Sequence, residues 1–233
     1  MNTYVTARAM ASDLARIRTW IFDLDNTLYH PRLDLFAQID VRMTDYIARL
    51  LGVDAVEAHR VQKGFFHEHG TTLAGLMRHH HVEPREFLDY VHDVDLTHIV
   101  PDAVVADGIA RLPGRKLVFT NGDVDYAGRV LGALGLGETF EAVHDIHACA
   151  YVPKPEPGPY AALCETYGID PTTALFVEDM ARNLKPAKAL GMTTVWINNG
   201  SERGGHEASS DYIDIEIADL GDWLQSLDER LAA

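Results

Sequence analysis

The sequence is poor in cysteine, in basic residues and in long apolar runs. Two cysteines, Cys149 and Cys164, occur among 233 residues, which excludes a disulfide-dense secreted scaffold and fits no zinc-ligand spacing. Twenty basic residues stand against 35 acidic ones, for a formal net charge of -15, and there is no basic stripe of the kind that binds nucleic acid. No apolar run approaches the roughly 20 residues that span a bilayer. We therefore expect a cytoplasmic protein with reduced thiols, and neither nucleic acid nor membrane as a partner.

The composition is otherwise that of a soluble globular protein, with 47% apolar and 24% charged residues. A chain of this length forms one large domain, or a core with a small insertion. Residues 1–20 carry arginines but no apolar stretch of a secretory signal. They faintly resemble a transit peptide, but we predict an amphipathic lead-in helix there. A monomer and a homodimer are equally compatible with the sequence.

Short apolar segments typical of buried parallel strands recur along the chain. The first is Thr19–Phe22, and others are predicted at residues 116–119, 142–143, 174–177 and 193–197. Helical patterns follow the later strands, and a final helix is predicted over residues 219–231. The proline-rich segment at residues 153–157 is predicted to be stiff and extended, because each proline fixes its own backbone angle.

Residues 34–107, between the first two strands, have a helical pattern instead. Apolar residues there step by four, at Leu35, Ile39, Met43, Ile47 and Leu51. This order predicts an α/β fold, a doubly wound (Rossmann-like) parallel sheet with a helical cap inserted after the first strand. We place the core at residues 1–30 and 107–233, and the cap at residues 31–106.

Polar side chains follow three of the predicted strands, at the edge where parallel strands place their ligands. They are Asp23 and Asp25 after the first strand, Thr120 and Asn121 after the second, and Glu178 and Asp179 after a later one, with Lys154 in the proline-rich segment. Clustered carboxylates need a cation, and oxygen ligands favour Mg²⁺. A hard cation beside a lysine is a receptor for a phosphate dianion, for which an ionised Asp23 is a plausible covalent nucleophile.

The segment from Asp23 to Thr27 resembles the D-x-D-x-T signature of haloacid dehalogenase-superfamily phosphatases. Thr120 and Lys154 resemble the second and third motifs of that superfamily, and Glu178-Asp179 with Asn183 resembles the acidic fourth motif. The four motifs occur in the family's order and bracket residues 19–197. The position of the helical insertion corresponds to the family's C1 cap, which encloses small substrates.

The resemblance implies a magnesium-dependent phosphomonoester hydrolase that acts through an aspartyl-phosphate. Asp23 is then the nucleophile, Asp25 the acid and base, and Lys154 the group that offsets negative charge. The implied Mg²⁺ ligands are the Asp23 side chain, the Asp25 main-chain carbonyl and Asp179. Thr120 and the Asn121 amide would hold phosphate oxygens, while Glu178 and Asn183 would support the metal site from outside its direct ligands.

A segment inside the predicted cap, Gly70-Thr71-Thr72, is similar to one in the pyrimidine 5′-nucleotidase group of this superfamily. The implied substrates are UMP and CMP, with Thr71 and Thr72 as candidate substrate-binding residues. A helix cap between two helices explains the same residues equally well.

Three other functions stay open at this stage. A sugar-phosphate or phosphoglycolate phosphatase, or a phosphosugar mutase, would use the same core. A non-catalytic binding module would be expected to lack a catalytic group, and none is missing. Dehalogenase chemistry is disfavoured by Asp25, since that branch has no acid two residues after its nucleophile.

Histidines cluster at His67, His69 and residues 79–81. Adjacent residues of a helix do not share a face, so we predict partly exposed polar side chains there, not a transition-metal site.

Overall fold

The computed structural model describes residues 14–201 and 204–231. Most of the predicted lead-in helix over residues 1–20 lies outside them. Among the described residues, no helix is both long enough and apolar enough to cross a membrane.

The described residues form a six-stranded, entirely parallel sheet. Its strands are β1 (Thr19–Phe22), β2 (Arg115–Phe119), β3 (Ala142–His144), β4 (Ala174–Glu178), β5 (Thr193–Ile197) and β6 (Ile215–Ile217), in the order β3-β2-β1-β4-β5-β6. The predicted doubly wound α/β fold is confirmed. β6 is absent from our prediction because its residues are polar or only half buried, so it lacks the apolar signature of a central strand.

Helices cover both faces of the sheet and fill the connection between β1 and β2. They are α1 (Leu35–Leu51), α2 (Ala55–His69), α3 (Thr72–His80), α4 (Pro84–Val91), α5 (Ala103–Arg111), α6 (Val124–Ala133), α7 (Pro157–Tyr167), α8 (Ala181–Leu190) and α9 (Leu220–Leu231). In residues 23–114, all of which the structure describes, no strand occurs. The helix α5 spans the predicted cap boundary at residues 106–107 and packs on α9. The division into core and cap stays a prediction.

The strand β1 is buried on both faces, as its unbroken apolar sequence predicts. Trp20 and Phe22 point into one hydrophobic cluster, and Ile21 points into another on the opposite face of the sheet. Burial of each of these side chains stabilises the fold by about 1.5–3 kcal/mol. The first polar residue after this strand, Asp23, is thereby held at a fixed place in the sheet.

The order of the strands reverses direction at β1. The chain runs from β1 to β2 and β3 on one side, and then crosses back to β4, β5 and β6 on the other. Open α/β sheets bind ligands outside the carboxyl ends of the strands at such a point. We therefore expect the residues that follow β1, β2 and β4 to form one ligand-binding site.

Candidate active site

Asp23, Lys154 and Glu178 form a buried, hydrogen-bonded group at the carboxyl ends of β1 and β4. Lys154 Nζ donates to Asp23 Oδ1 at 2.7 Å, to Glu178 Oε2 at 2.7 Å and to the Phe119 carbonyl oxygen at 2.9 Å. The three side chains are almost completely buried. Asp23 itself is fixed by its backbone N–H, which donates to the Val177 carbonyl of β4 at 2.9 Å. The sequence prediction thus names residues that lie together here.

Lys154 reaches this group because the side chain of Asn121 holds its backbone. Asn121 Oδ1 accepts from the Lys154 N–H at 2.8 Å, and Asn121 Nδ2 donates to the Lys154 carbonyl at 3.3 Å. Residues 153–156 form a turn, closed by a bond from the Glu156 N–H to the Pro153 carbonyl at 2.9 Å. The predicted extended conformation of residues 153–157 is wrong at this turn, where the Lys154–Pro155 peptide is cis.

Burial and the excess of carboxyl groups over lysine shift the pKa values in this group. Burial first, and then the charge of Glu178, raises the pKa of Asp23 to about 7, although Lys154 acts in the opposite direction. Burial alone would lower the pKa of Lys154, but Asp23 and Glu178 raise it, so the lysine stays charged. Burial, followed by repulsion from Glu178 and Asp23, raises the pKa of Asp179 well above its usual range. The three carboxyl groups outnumber the one lysine, so full ionisation of all three needs a further cation.

Asp25 lies on the same loop and accepts hydrogen bonds from two phenols. Tyr29 Oη donates to Asp25 Oδ1 at 2.7 Å, and Tyr126 Oη donates to the same oxygen at 2.6 Å. Burial, followed by the charge of Asp25, raises the pKa of both phenols well above the usual range, so both remain donors. The sequence analysis missed these partners. Tyr29 carries a signal, since it lies four residues after Asp25, but Tyr126 is 101 residues away.

A stacked pair links this loop to the end of the helical segment. The ring of His92, the residue after α4, lies 4.3 Å from the ring of Tyr126 with 14° between their planes. His92 Nδ1 is hydrogen-bonded to Asp123 Oδ2. Although burial acts against it, this bond and the charge of His92 lower the pKa of Asp123. Arg129 also donates to the His92 carbonyl at 2.7 Å.

The carboxyl groups and Lys154 described above line a cavity beside the sheet, and the other predicted site residues line it or lie next to a lining residue. Thr120 is buried, and its Oγ1 accepts from the Gly122 N–H at 2.9 Å. Asn183 lines the cavity, and its buried Oδ1 has no hydrogen-bond partner within residues 14–201 and 204–231. Thr71 caps α3, with Oγ1 accepting from the Ala74 N–H at 3.1 Å, and Thr72 Oγ1 donates to the Gln62 carbonyl at 3.3 Å. Thr71 and Thr72 thus have structural roles, and both also line the cavity.

Gly70 brings this threonine loop against the lysine turn. The glycine has φ of 83°, and a side chain there would meet Pro153 at 3.4 Å and the Lys154 carbonyl at 3.6 Å. Arg182 of α8 donates to the Gly70 carbonyl at 3.3 Å. A residue with positive φ and a close neighbour on one side is best a glycine. The loop between α2 and α3 is therefore part of the wall of the cavity.

The far wall of the cavity comes from the helical segment. Its apolar lining includes Phe36, Met43, Phe66, Phe87 and Val91. A polar group lies among them. Gln62 Nε2 donates to Asp40 Oδ1 at 2.7 Å, and Lys63 Nζ donates to the same oxygen at 2.9 Å. Asp40, Gln62 and Lys63 all line the cavity and were not among the predicted site residues, because their spacing resembles an ordinary helix surface.

The family is settled by comparison with known proteins. A family model described as "Hydrolase: haloacid dehalogenase-like hydrolase" matches residues 17–191, three quarters of the chain. The chain belongs to this family. Its observed sheet and the four ordered motifs agree with that membership, and the superfamily resemblance read from the sequence is confirmed.

Three known proteins illustrate the range of similarity to this haloacid dehalogenase-like hydrolase. A phosphoglycolate phosphatase of Rhodospirillum rubrum is 30% identical, over 88% of this chain and 89% of the relative. Phosphate metabolism protein 8 of Saccharomyces cerevisiae is 23% identical over 75% of this chain, which spans 60% of that protein. For several curated relatives the chain spans little more than half of their length. A crystal structure of a HAD phosphatase from Thermococcus onnurineus shares the fold, with 21% identity, a TM-score of 0.60 and coverage of 91% and 98%.

Hydrolases of this family generally use Mg²⁺, and the acidic residues here fit such an ion. Carboxylate oxygens of Asp23, Glu178 and Asp179 all lie within 4.8 Å of one another, and the three residues are buried. Oxygen donors alone suit Mg²⁺ better than zinc or copper. A divalent cation would also balance the charge that Lys154 leaves unbalanced.

Proposed function

We propose that this hydrolase is a magnesium-dependent phosphomonoesterase that acts through a phosphorylated Asp23. The observation that carries the proposal is the contact of Asp23 with the buried Lys154 at the point where the strand order reverses. Asp25, with its two phenol donors, supplies a second carboxyl group on the same loop. Mg²⁺ would be held by the Asp23 and Asp179 side chains and the Asp25 main-chain carbonyl, and it would offset charge on the phosphoryl oxygens.

The proposed reaction has two displacements at phosphorus. An Asp23 carboxylate oxygen bonds to phosphorus while the bond to the ester oxygen breaks, and Asp25 gives its proton to the leaving alkoxide. Asp25 then takes a proton from water, whose oxygen attacks phosphorus and releases phosphate and a free Asp23 carboxylate. Lys154 keeps Asp23 oriented and offsets negative charge throughout. Thr120 and the backbone N–H of Asn121 are proposed to bind phosphate oxygens.

The phenol donors of Asp25 give a test of its proposed role. We expect Tyr126→Phe to lower kcat about tenfold with little change in KM, because a hydrogen bond to a charged group contributes about 1.5–3 kcal/mol. Tyr90→Phe is the matched control, since that phenol bonds to Asp45 away from the cavity. A kcat unchanged in both Tyr126→Phe and the Tyr29→Phe, Tyr126→Phe double variant would remove the phenols from the mechanism.

For the leaving group we propose a pyrimidine nucleoside, with UMP and CMP as substrates. Flat apolar rings such as Phe36 and Phe66 line the wall and suit a nucleobase, while the bonded pair of Asp40 and Lys63 presents an acceptor and a donor beside them. A two-carbon leaving group such as glycolate would leave this wall without a partner. The identity of 30% with a phosphoglycolate phosphatase favours that substrate as the second candidate, beside other sugar phosphates.

A panel of phosphate esters separates these substrates. We expect Mg²⁺-dependent phosphate release from UMP and CMP with kcat/KM at least about tenfold above that for phosphoglycolate, AMP, GMP and a hexose phosphate, which corresponds to about 1.4 kcal/mol of discrimination. EDTA should abolish release, and added Mg²⁺ should restore it. Equal rates on all esters would retain the chemistry and remove the nucleotidase proposal. Preference for phosphoglycolate would establish the second candidate.

The binding-module alternative predicts no release from any ester. Asp23, Asp25, Lys154 and Asp179 are all present and line one cavity, which favours an enzyme. The proposal also includes a cap comprising residues 31–106, a cytoplasmic location and a monomeric or homodimeric state.

A further inference from the structure

Two histidines from different helices meet at the α2–α3 hairpin. His69 Nε2, at the end of α2, lies 2.9 Å from His79 Nε2, near the end of α3. A Glu68 carboxylate oxygen is 3.9 Å from His69 Nε2, and one ligand atom from each of the three residues lies within 4.8 Å of the others. The sequence interpretation compared neighbours on one helix and so could not detect this pair.

Close packing of the two helices sets the positions of these rings. Phe65 stacks on His79, with 5.3 Å between ring centroids and 3° between planes, and lies 5.9 Å from the ring of His69. A side chain on Gly75 of α3 would stand 2.3 Å from the Phe65 ring, so glycine is needed for this approach. The side chain of His69 is 9% exposed. Contact with Phe65 therefore positions both the largely buried His69 ring and the exposed His79 ring before any ligand binds, as a metal site requires.

The donor atoms suit a transition metal. Two imidazole nitrogens and a carboxylate form a ligand set typical of Zn²⁺ and its neighbours, whereas Mg²⁺ prefers oxygen. If one ion binds two nitrogens at about 2.0–2.1 Å each and the N–metal–N angle is a right angle, the nitrogens lie about 2.9 Å apart. A small increase in the distance between the nitrogens widens this angle to the tetrahedral value. The exposed Glu68 side chain can rotate to complete a three-residue site, with water in the remaining position.

We propose that Glu68, His69 and His79 bind a divalent transition-metal ion, represented by Zn²⁺, at a site separate from the acidic cluster of Asp23. The site joins α2 and α3, and the residues at their junction, Gly70, Thr71 and Thr72, line the cavity. Bound metal would therefore stabilise this hairpin without taking part in the chemistry.

The test is titration of the full chain with Zn²⁺ in millimolar Mg²⁺, which keeps the acidic cluster supplied with its preferred ion. We expect one Zn²⁺ per chain, and X-ray absorption at the zinc edge should show two imidazole ligands. His69→Ala and His79→Ala should each weaken binding at least tenfold. His59→Ala, which removes a half-exposed histidine from the same helix, should bind as the unaltered chain does.

Circular dichroism and phosphate release in Mg²⁺ should show that His69→Ala and His79→Ala remain folded. Zn²⁺ should raise the melting temperature of the unaltered chain and of His59→Ala, but not of His79→Ala, because only a bound ion stabilises the folded state. Coordination by oxygen alone, or binding unchanged in both His69→Ala and His79→Ala, would overturn the proposal.

Discussion

Asp23→Asn should abolish phosphate release, with kcat lowered by at least about 10⁴-fold, as for loss of other covalent nucleophiles. The amide carries no charge and does not attack phosphorus. Its oxygen can still accept the hydrogen bond that Lys154 Nζ makes to Asp23 Oδ1 at 2.7 Å, so the fold should persist. Steady-state phosphate release from UMP with Mg²⁺, beside a circular dichroism spectrum, measures both properties.

Asp89→Asn is the matched control, because that residue lies exposed on α4 and should retain full activity. Peptide mass spectrometry after rapid acid quench adds a direct observation. The unaltered chain should carry phosphate on the peptide that contains Asp23, and the Asp23→Asn chain should carry none. Turnover near the normal rate in Asp23→Asn would end the covalent proposal, whatever the substrate.

Lys154→Met should destabilise the fold by about 3–5 kcal/mol, because it leaves buried carboxylates without their cation. Asp23 and Glu178 are the two that lose a hydrogen bond of 2.7 Å. Removal of Lys154 also removes the interaction that lowers the pKa of Asp23. A carboxyl group whose pKa is higher in the folded state than in the unfolded state destabilises the fold as pH rises. The loss should thus be larger at about pH 8 than at about pH 5.

Urea denaturation without Mg²⁺ measures this loss, and Lys185→Met, an exposed change on α8, is the control. Adding Glu178→Gln to Lys154→Met removes one of the two unpaired charges and should recover part of the stability. A double variant as unstable as Lys154→Met alone, or a loss of equal size in Lys185→Met, would mean that side-chain packing, not charge, explains the role of this lysine.

The arrangement of the proposed chemical groups was accessible from the sequence because it depends on strand ends. Asp23 and Glu178 follow or end short apolar segments, and parallel strands bring such ends to one edge of a sheet. Short apolar segments in the sequence also predict five of the six strands of the described sheet. The strand β6 has no such apolar segment, because its two isoleucines are half buried and flank an exposed glutamate, as suits an edge strand.

Contacts between distant segments were not accessible in this way. Tyr126 meets Asp25 only after segments 101 residues apart pack together, and His69 meets His79 only after two successive helices pack as a hairpin. No local period or spacing encodes such meetings, since each residue alone resembles ordinary core or surface. The sequence analysis also missed the cavity wall at Asp40 and Lys63. Tertiary packing decides which face of a helix borders the cavity, and the sequence alone does not specify it.

The ring of His92 lies against a phenol that donates to Asp25, and under the proposed mechanism this contact would link the position of the helical segment to proton transfer by Asp25. A shift of the helical segment away from the sheet would move His92 and so loosen one of the two donors of the proposed acid. The acid would then be fully assembled only while the leaving group is covered.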